Sequence, residues 1–245
     1  MRADAFLAAA DSLPLADLDA LVGPGGLVVV APHPDDESLG CGGLIAAARA
    51  GGRDVRLVVV SDGCGSHTHS ALYPPDKLRL LREEETRRAV AVLGMDPDRA
   101  SFLRLPDAHV PSEGPQAEAA AAAIAEVASA CAAGAVFVTW RHDPHCDHKA
   151  AAAIVALARR QRPGVRIYEY PVWGWTLPPE TEVGPAPEGL RLDVSAFQAI
   201  KAKAVAAHES QVSDLIHDDP TGFRLEPAMI ERLCGPYERF VAVAE

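Results

Sequence analysis

Two short segments concentrate the reactive side chains of this 245-residue chain. Residues 31–37 read Ala-Pro-His-Pro-Asp-Asp-Glu, which sets the imidazole of His33 beside the three carboxylates of Asp35, Asp36 and Glu37. Residues 142–148 read His-Asp-Pro-His-Cys-Asp-His, three imidazoles interleaved with two carboxylates. Carboxylates crowded into one turn repel each other, and a cation bound among them relieves the repulsion. Imidazole nitrogen and carboxylate oxygen are the donors that divalent metals of the zinc type accept. A catalytic site of that type keeps three protein ligands and an open position for water. His33, Asp36 and His148 would supply such a set if the fold brought the two segments together.

The flanking sequence provides for that. Residues 27–31 (LVVVA) and 135–140 (AVFVTW) are short, continuously apolar runs of the kind that form strands buried on both faces, and each chemical segment follows one of them directly. In an open parallel sheet, ligands bind beyond the carboxyl ends of the strands, so both loops should emerge at the same end. Taken singly, an Asp-Asp-Glu triplet reads more readily as a solvated turn or a helix N-terminus. Two acid- and histidine-rich loops, each after a buried strand, point instead to a site.

Further strands are expected at 55–60, 101–105 and 165–170, and helices at 75–94, 116–133 and 148–161. This alternation predicts an α/β, Rossmann-like fold with a mostly parallel sheet and helices on both faces. Residues 171–189, rich in Pro, Gly and aromatics, read as a long functional loop. Residues 192–211 read as helix, 218–227 as a polar loop and 239–243 as a last edge strand. The length suits one domain over 1–245, with its core at about 26–170 and substrate loops and a helix over 171–245.

At the level of motifs the chain resembles the LmbE-like, or PIG-L, family of zinc-dependent N-acetylglucosaminyl deacetylases. Residues 31–37 resemble its A-H-P-D-D-E signature, and His145-Cys146-Asp147-His148 its H-x-D-H signature. Arg82 with Glu85 is similar to its R-x-x-E helix and Leu105-Pro106-Asp107 to its L-P-D loop, so the resemblance spans about residues 26–170. It implies His33, Asp36 and His148 as ligands of zinc or another divalent metal. It implies Asp35 as the general base, His145 as the group that steadies the oxyanion, Asp147 as the residue that orients His145, and Arg82 and Asp107 as contacts to the sugar. The implied reaction is hydrolysis of the acetamido group of a small N-acetylglucosamine-type or related sugar conjugate. Two other readings stay open: a metallohydrolase of non-sugar amides, and a catalytically inactive sugar-binding domain. The second would be marked by loss of the base or a ligand, yet Asp35, His33, Asp36 and His148 are all present.

Some positions depart from the family pattern or resist assignment. Pro32 extends the signature, Cys146 replaces a common Pro, and Asp143 stands where some relatives carry a Tyr. Gly40, Gly42 and Gly43 resemble a dinucleotide loop but Ile45 occupies the third glycine position, so they are expected to allow close backbone approach beneath the two chemical segments. His67 and His69 fall in a polar loop. His208, Ser210 and Gln211 form an H-x-S-Q element found in some relatives. Trp140 is expected in the core, whereas Trp173 and Trp175 suit either a sugar platform or a subunit interface.

Composition narrows the partners. A net charge of -11 without any Lys/Arg-rich run excludes the electrostatic footprint of a nucleic-acid binder. No stretch approaches the ~18 apolar residues of a membrane span. Five scattered cysteines without a C-x-x-C pair suggest neither a disulfide framework nor a structural zinc cluster, and fit a cytoplasmic address. A homo-oligomer remains compatible with all of this.

Overall fold

The computed structural model describes residues 1–244. Eight strands form one sheet: β1 (Leu15–Ala16), β2 (Leu27–Ala31), β3 (Val55–Ser61), β4 (Ala100–Leu105), β5 (Ala135–Thr139), β6 (Arg166–Tyr170), β7 (Gly189–Asp193) and β8 (Tyr237–Ala242). Their spatial order is β1-β7-β8-β6-β5-β2-β3-β4. Strands β2 to β6 are mutually parallel, and β8 runs antiparallel to both of its neighbours. The α/β, mostly parallel architecture read from the sequence is therefore the one observed.

Alternate residues of the central strands feed two apolar layers. Val29 and Ala31 of β2 face one cluster, which includes α3 (Asp36–Ala50) and α4 (Pro75–Val92). Val28 and Val30 face the other, built with α5 (Gly114–Ala130) and α6 (Cys146–Arg159). Every residue of β2 and β5 is buried, so each apolar side chain there contributes roughly 1.5–3 kcal/mol of transfer free energy to holding the strand between layers. Two-sided burial explains why these runs are continuous in hydrophobicity where a half-exposed strand would alternate.

Helix α3 comes close enough to the sheet that a Cβ on Gly40 would sit 2.1 Å from the Tyr170 ring, and one on Gly43 2.5 Å from Val194. The close approach expected of these glycines is made against Tyr170, Val194 and the stem of Lys201, and not beneath the two chemical loops. Lys201 is itself buried in a 2.7 Å ion pair with Glu238, whose carboxylate also accepts the Gly43 and Leu44 amides.

The C-terminal third differs from its sequence reading. Residues 192–193 are strand, not helix: Leu192 is buried in the core while Asp193 is exposed, and β7 pairs along its length with β8. Helix starts only at α7 (Gln198–Ala206), followed by the short α8 (Glu209–Val212) and α9 (Pro227–Leu233). Residues 237–242 form an interior strand and not an edge, because β7 and then β1 continue the sheet beyond them. The N-terminal α1 (Ala3–Ala10) and α2 (Leu18–Val22) were not apparent in the sequence. Among the described residues no helix is long and apolar enough to cross a membrane.

Candidate metal centre and active site

Strands β3 and β4 extend the sheet to one side of β2, and β5 and β6 to the other. The crevice above the β2–β5 boundary is thus the topological switch point of the parallel segment, where open α/β sheets bind ligands. His33 to Asp36 leave β2 there, and His142 to His148 leave β5 beside them. Both connections run straight into helices. Asp36 opens α3, whereas α6 starts at Cys146, two residues earlier than the sequence suggested, so that His145 caps it and Asp147 and His148 lie in its first turn. Two helix N-termini therefore face the crevice, and their dipoles favour the negative charge gathered in it.

His33, Asp36 and His148 converge. Asp36 Oδ2 lies 3.2 Å from His33 Nδ1 and 3.2 Å from His148 Nε2. His148 Nε2 has no hydrogen-bond geometry to any neighbour although the residue is fully buried. Its other nitrogen, Nδ1, donates to Asp143 Oδ2 at 2.9 Å, and His33 Nε2 donates to Asp147 Oδ2 at 3.1 Å. His33 Nδ1 also donates to Asp36 Oδ2 at 3.2 Å; a cation displacing that proton would meet two rings held by their outer nitrogens, the arrangement in which a carboxylate behind a histidine prepares it as a ligand. Burial opposes the charged form of both rings, yet the carboxylates prevail: Asp107, Asp147 and Asp36 hold His33 well above the ordinary imidazole range, and Asp36 with Asp143 pushes His148 up to about 9. Burial likewise disfavours the Asp36 carboxylate, but His148 and His33 hold it far below the usual range. The donor set, the orphaned Nε2 and the surplus of carboxylates all fit a divalent cation. Three imidazoles, those of His33, His145 and His148, also have ring nitrogens within 4.8 Å of one another.

Asp35 caps α3 with φ +149°, a conformation that costs a non-glycine residue on the order of 1–3 kcal/mol. Its surroundings enforce it. The Asp35 amide donates to Glu37 Oε2 at 3.1 Å, and Arg82 Nη2 donates to Asp35 Oδ2 at 3.2 Å and to the Pro34 carbonyl at 2.7 Å. Burial pushes the Asp35 carboxyl up to about 7 against the pull of the Arg82 guanidinium. Glu37, wholly buried, is held in turn by His208 Nε2 at 2.9 Å.

A cavity of about 460 Å³ opens onto this cluster, with His33, Asp35, Asp36 and His145 in its lining. The sequence profile of the GlcNAc-PI de-N-acetylases, PIG-L, matches residues 28–158, more than half of the chain. The chain belongs to the PIG-L family. No curated protein gives a significant match to the sequence. Among solved structures, the conserved protein TT1542 from Thermus thermophilus is 26% identical with a TM-score of 0.64, over 89% of this chain and 94% of that one. The N,N'-diacetylchitobiose deacetylase from Pyrococcus horikoshii is 20% identical with a TM-score of 0.66, over 93% and 87%. GalB, a 4-carboxy-2-hydroxymuconate hydratase from Pseudomonas putida, is 18% identical with a TM-score of 0.66, over 90% and 96%. The last two likenesses are likenesses of fold, and a hydratase among them shows that the fold does not by itself choose a reaction.

Several residues take partners other than those the family resemblance implies. The Asp147 carboxylate does not bond His145; it accepts from His33 Nε2 and from the amides of Ala108 at 2.7 Å and Val110 at 3.1 Å. Its backbone amide is what reaches His145, donating to Nδ1 at 3.2 Å. Arg82 lines the cavity, but its guanidinium is engaged by Asp35 and the carbonyls of Pro34 and Gly63. Asp107 also lines the cavity, with Oδ1 3.3 Å from His33 Nε2 and Oδ2 accepting the Gly65 amide at 2.8 Å. Cys146 is exposed, its thiol resting 3.4 Å from the Ala108 carbonyl, and belongs to neither metal-capable group among the described residues, His33 with His145 and His148 or His33 with Asp107, His145 and Asp147. His67 packs on Gly222 and His69 is exposed. Trp140 is buried, stacked on Phe6. Trp173 and Trp175 part company: the first lines the cavity, the second lies under the Arg232 guanidinium at 3.8 Å.

Asp143, Glu37 and Glu85 are the residues whose contribution the sequence concealed. Asp143 anchors His148, and Glu85, fully buried, accepts both the amide and the hydroxyl of Ser210 at 2.7 and 2.6 Å. The signal for Glu85 was its place one helical turn after Arg82, which puts both on the same face of α4. Asp143 offered none beyond its proximity to the histidines.

Proposed function

We propose that this protein is a zinc-dependent N-deacetylase of a small acetamido-sugar conjugate, in which His33, Asp36 and His148 hold the metal. The observation that carries the reading is the buried, unpartnered His148 Nε2 sharing Asp36 Oδ2 at 3.2 Å with the Nδ1 side of His33. Membership of a de-N-acetylase family supports the reaction, and the hydrogen bonds that hold both imidazoles by their outer nitrogens, with the inner nitrogens on Asp36, support the ligand set. When bound, the cation would polarise the amide carbonyl and lower the pKa of water at the site to about 7.

The chain's own residues then divide the proton work. Asp35, buried at the mouth of α3 and steadied by Arg82, accepts the proton of the attacking water as the water oxygen bonds to the acyl carbon. His145 accepts the Asp147 amide on Nδ1, so its proton sits on Nε2, a neutral donor for the oxygen that gains charge. Burial and the neighbouring His33 and His148 lower the His145 pKa, in keeping with that neutral form. His145 could become a cation only by giving up its capping bond. Asp35 is accordingly the group that returns the proton to the departing nitrogen as the carbon–nitrogen bond breaks, leaving acetate and an amine.

The test is acetate release from N-acetylglucosamine conjugates by zinc-loaded and by chelator-stripped protein. Release that vanishes on chelation and returns with zinc is expected. Turnover of non-sugar amides alone would replace the sugar reading with a broader amide hydrolase.

A further inference from the structure

The cavity has a second set of walls that the acyl chemistry does not use: Trp173, Phe223 and Gln211. The Trp173 and Phe223 rings meet edge to face with centroids 5.6 Å apart, and Phe223 remains 36% exposed. Both are held from their backbones. The Val172 and Trp173 amides donate to Asp143 Oδ2 at 3.0 and 3.1 Å, the same oxygen that takes His148 Nδ1. The Phe223 amide donates to the Ser66 carbonyl at 2.7 Å. Its loop is fastened by Asp218, which accepts from Ser70, Ala71 and Leu72, and by Asp219, which accepts from His69 and Thr221. The aromatic pair is thus set in register with the candidate metal ligands by one shared carboxylate and two clamped loops.

Gln211 adds a polar element whose orientation follows from its partners. The Ser210 hydroxyl spends its only hydrogen on Glu85 Oε2 at 2.6 Å, so toward Gln211 it can only accept. The amide nitrogen of Gln211 must therefore face Ser210, at 2.8 Å, and its second hydrogen points to Ser66 Oγ at 3.4 Å. That leaves Oε1, which is buried and has no partner among the described residues. A buried acceptor without a donor is a costly thing to keep unless a ligand completes it.

A pyranose ring has the complementary chemistry, with a face of C–H groups and an edge of hydroxyls. We infer that Trp173 and Phe223, set nearly at right angles, form an apolar corner in which a ring face meets the C–H face of the substrate's sugar, and that Gln211 Oε1 accepts a hydrogen bond from one ring hydroxyl. These three residues then determine specificity for a cyclic sugar over other acetamido compounds. The inference rests on the acetamido-sugar reading above, but binding tests it separately from turnover.

The experiment uses zinc-loaded Asp35→Asn protein, to silence hydrolysis, and calorimetric titration with N-acetylglucosamine, its monodeoxy analogues and the ring-free N-acetylethanolamine. With no further substitution, the sugar should bind roughly tenfold or more tightly than N-acetylethanolamine, and one deoxy analogue should lose a comparable factor. Adding Trp173→Leu or Phe223→Leu should weaken the sugar by roughly tenfold and leave N-acetylethanolamine unchanged. Adding Gln211→Met should erase the difference between the sugar and that one deoxy analogue. Equal weakening of both ligand classes would mark a merely structural role and overturn the inference. So would a failure of the sugar, or of every deoxy comparison, to distinguish itself with the three residues intact, a result that needs none of the three further substitutions to fold. Sugar binding with the expected dependence but no acetate release from the unsubstituted enzyme would uphold the inference and remove the deacetylase reading. Acetate release with sugar affinity indifferent to all three residues would do the reverse.

Discussion

The two regions that enclose the cavity are built on different principles. Between residues 26 and 170 the reactive groups sit at the ends of buried parallel strands, where the sheet holds His33 and His148 each 3.2 Å from Asp36 Oδ2. Beyond residue 170 the lining comes from loops and short helices, and several residues in or beside it hold position through buried carboxylates contributed by the first region: Asp143 for Trp173, Glu85 for Ser210, Glu37 for His208. On the proposed reading, the first region carries the charge that chemistry requires, and the second carries the shape that selection requires. A rigid sheet sets atoms to fractions of an ångström, while loops vary freely as long as their anchors persist.

This contrast can be broken most decisively at the proposed metal ligands. Asp36→Ala or His148→Ala should abolish acetate release and lower zinc affinity by more than the roughly 100-fold typical of losing an outer partner, as read by competition with a chromophoric chelator. Full zinc occupancy in either variant would remove that residue from the ligand set. Next in size is Asp35→Asn, expected to lower kcat by roughly 10²–10⁴ with zinc content unchanged. A variant that instead lost its zinc would make Asp35 a ligand and not the base.

Asp143 is the residue where the two regions meet. Asp143→Asn should weaken zinc binding by roughly 10–100-fold, and should also raise KM, because the Trp173 amide shares the same oxygen. A change in zinc affinity with KM untouched would show the regions to be uncoupled. The smallest effect belongs to Ser210→Ala, which removes one charged hydrogen bond to Glu85 and should cost about 1.5–3 kcal/mol in urea unfolding while zinc affinity stays as it was. Loss of zinc there would mean that the second region supports the first as well as leaning on it.

How much of this was readable in advance follows the same division. The central strands declare themselves because burial on both faces demands unbroken apolar runs such as residues 27–31, and the helices between them carry capping and periodic signals. Strand ends in turn fix where a site must lie, so two histidine- and acid-rich segments behind two such runs were enough to bring His33, Asp36 and His148 together on paper. Residues 192–193 and 237–242 misled because β7 and β8 depend on each other: their pairing is antiparallel and long-range, and neither run alone differs from helix or from an edge. Partner choice was equally hidden. Nothing in the order of residues says that the Asp147 carboxylate turns to His33 while its amide caps toward His145, or that the hydroxyl hydrogen of Ser210 is claimed by Glu85 from 125 positions away. Local sequence determines which groups carry charge and which strand delivers them, because hydrophobic periodicity and chain direction are local properties. Which donor meets which acceptor is decided only when the elements pack, since that choice depends on distances of a few tenths of an ångström between segments far apart in the chain.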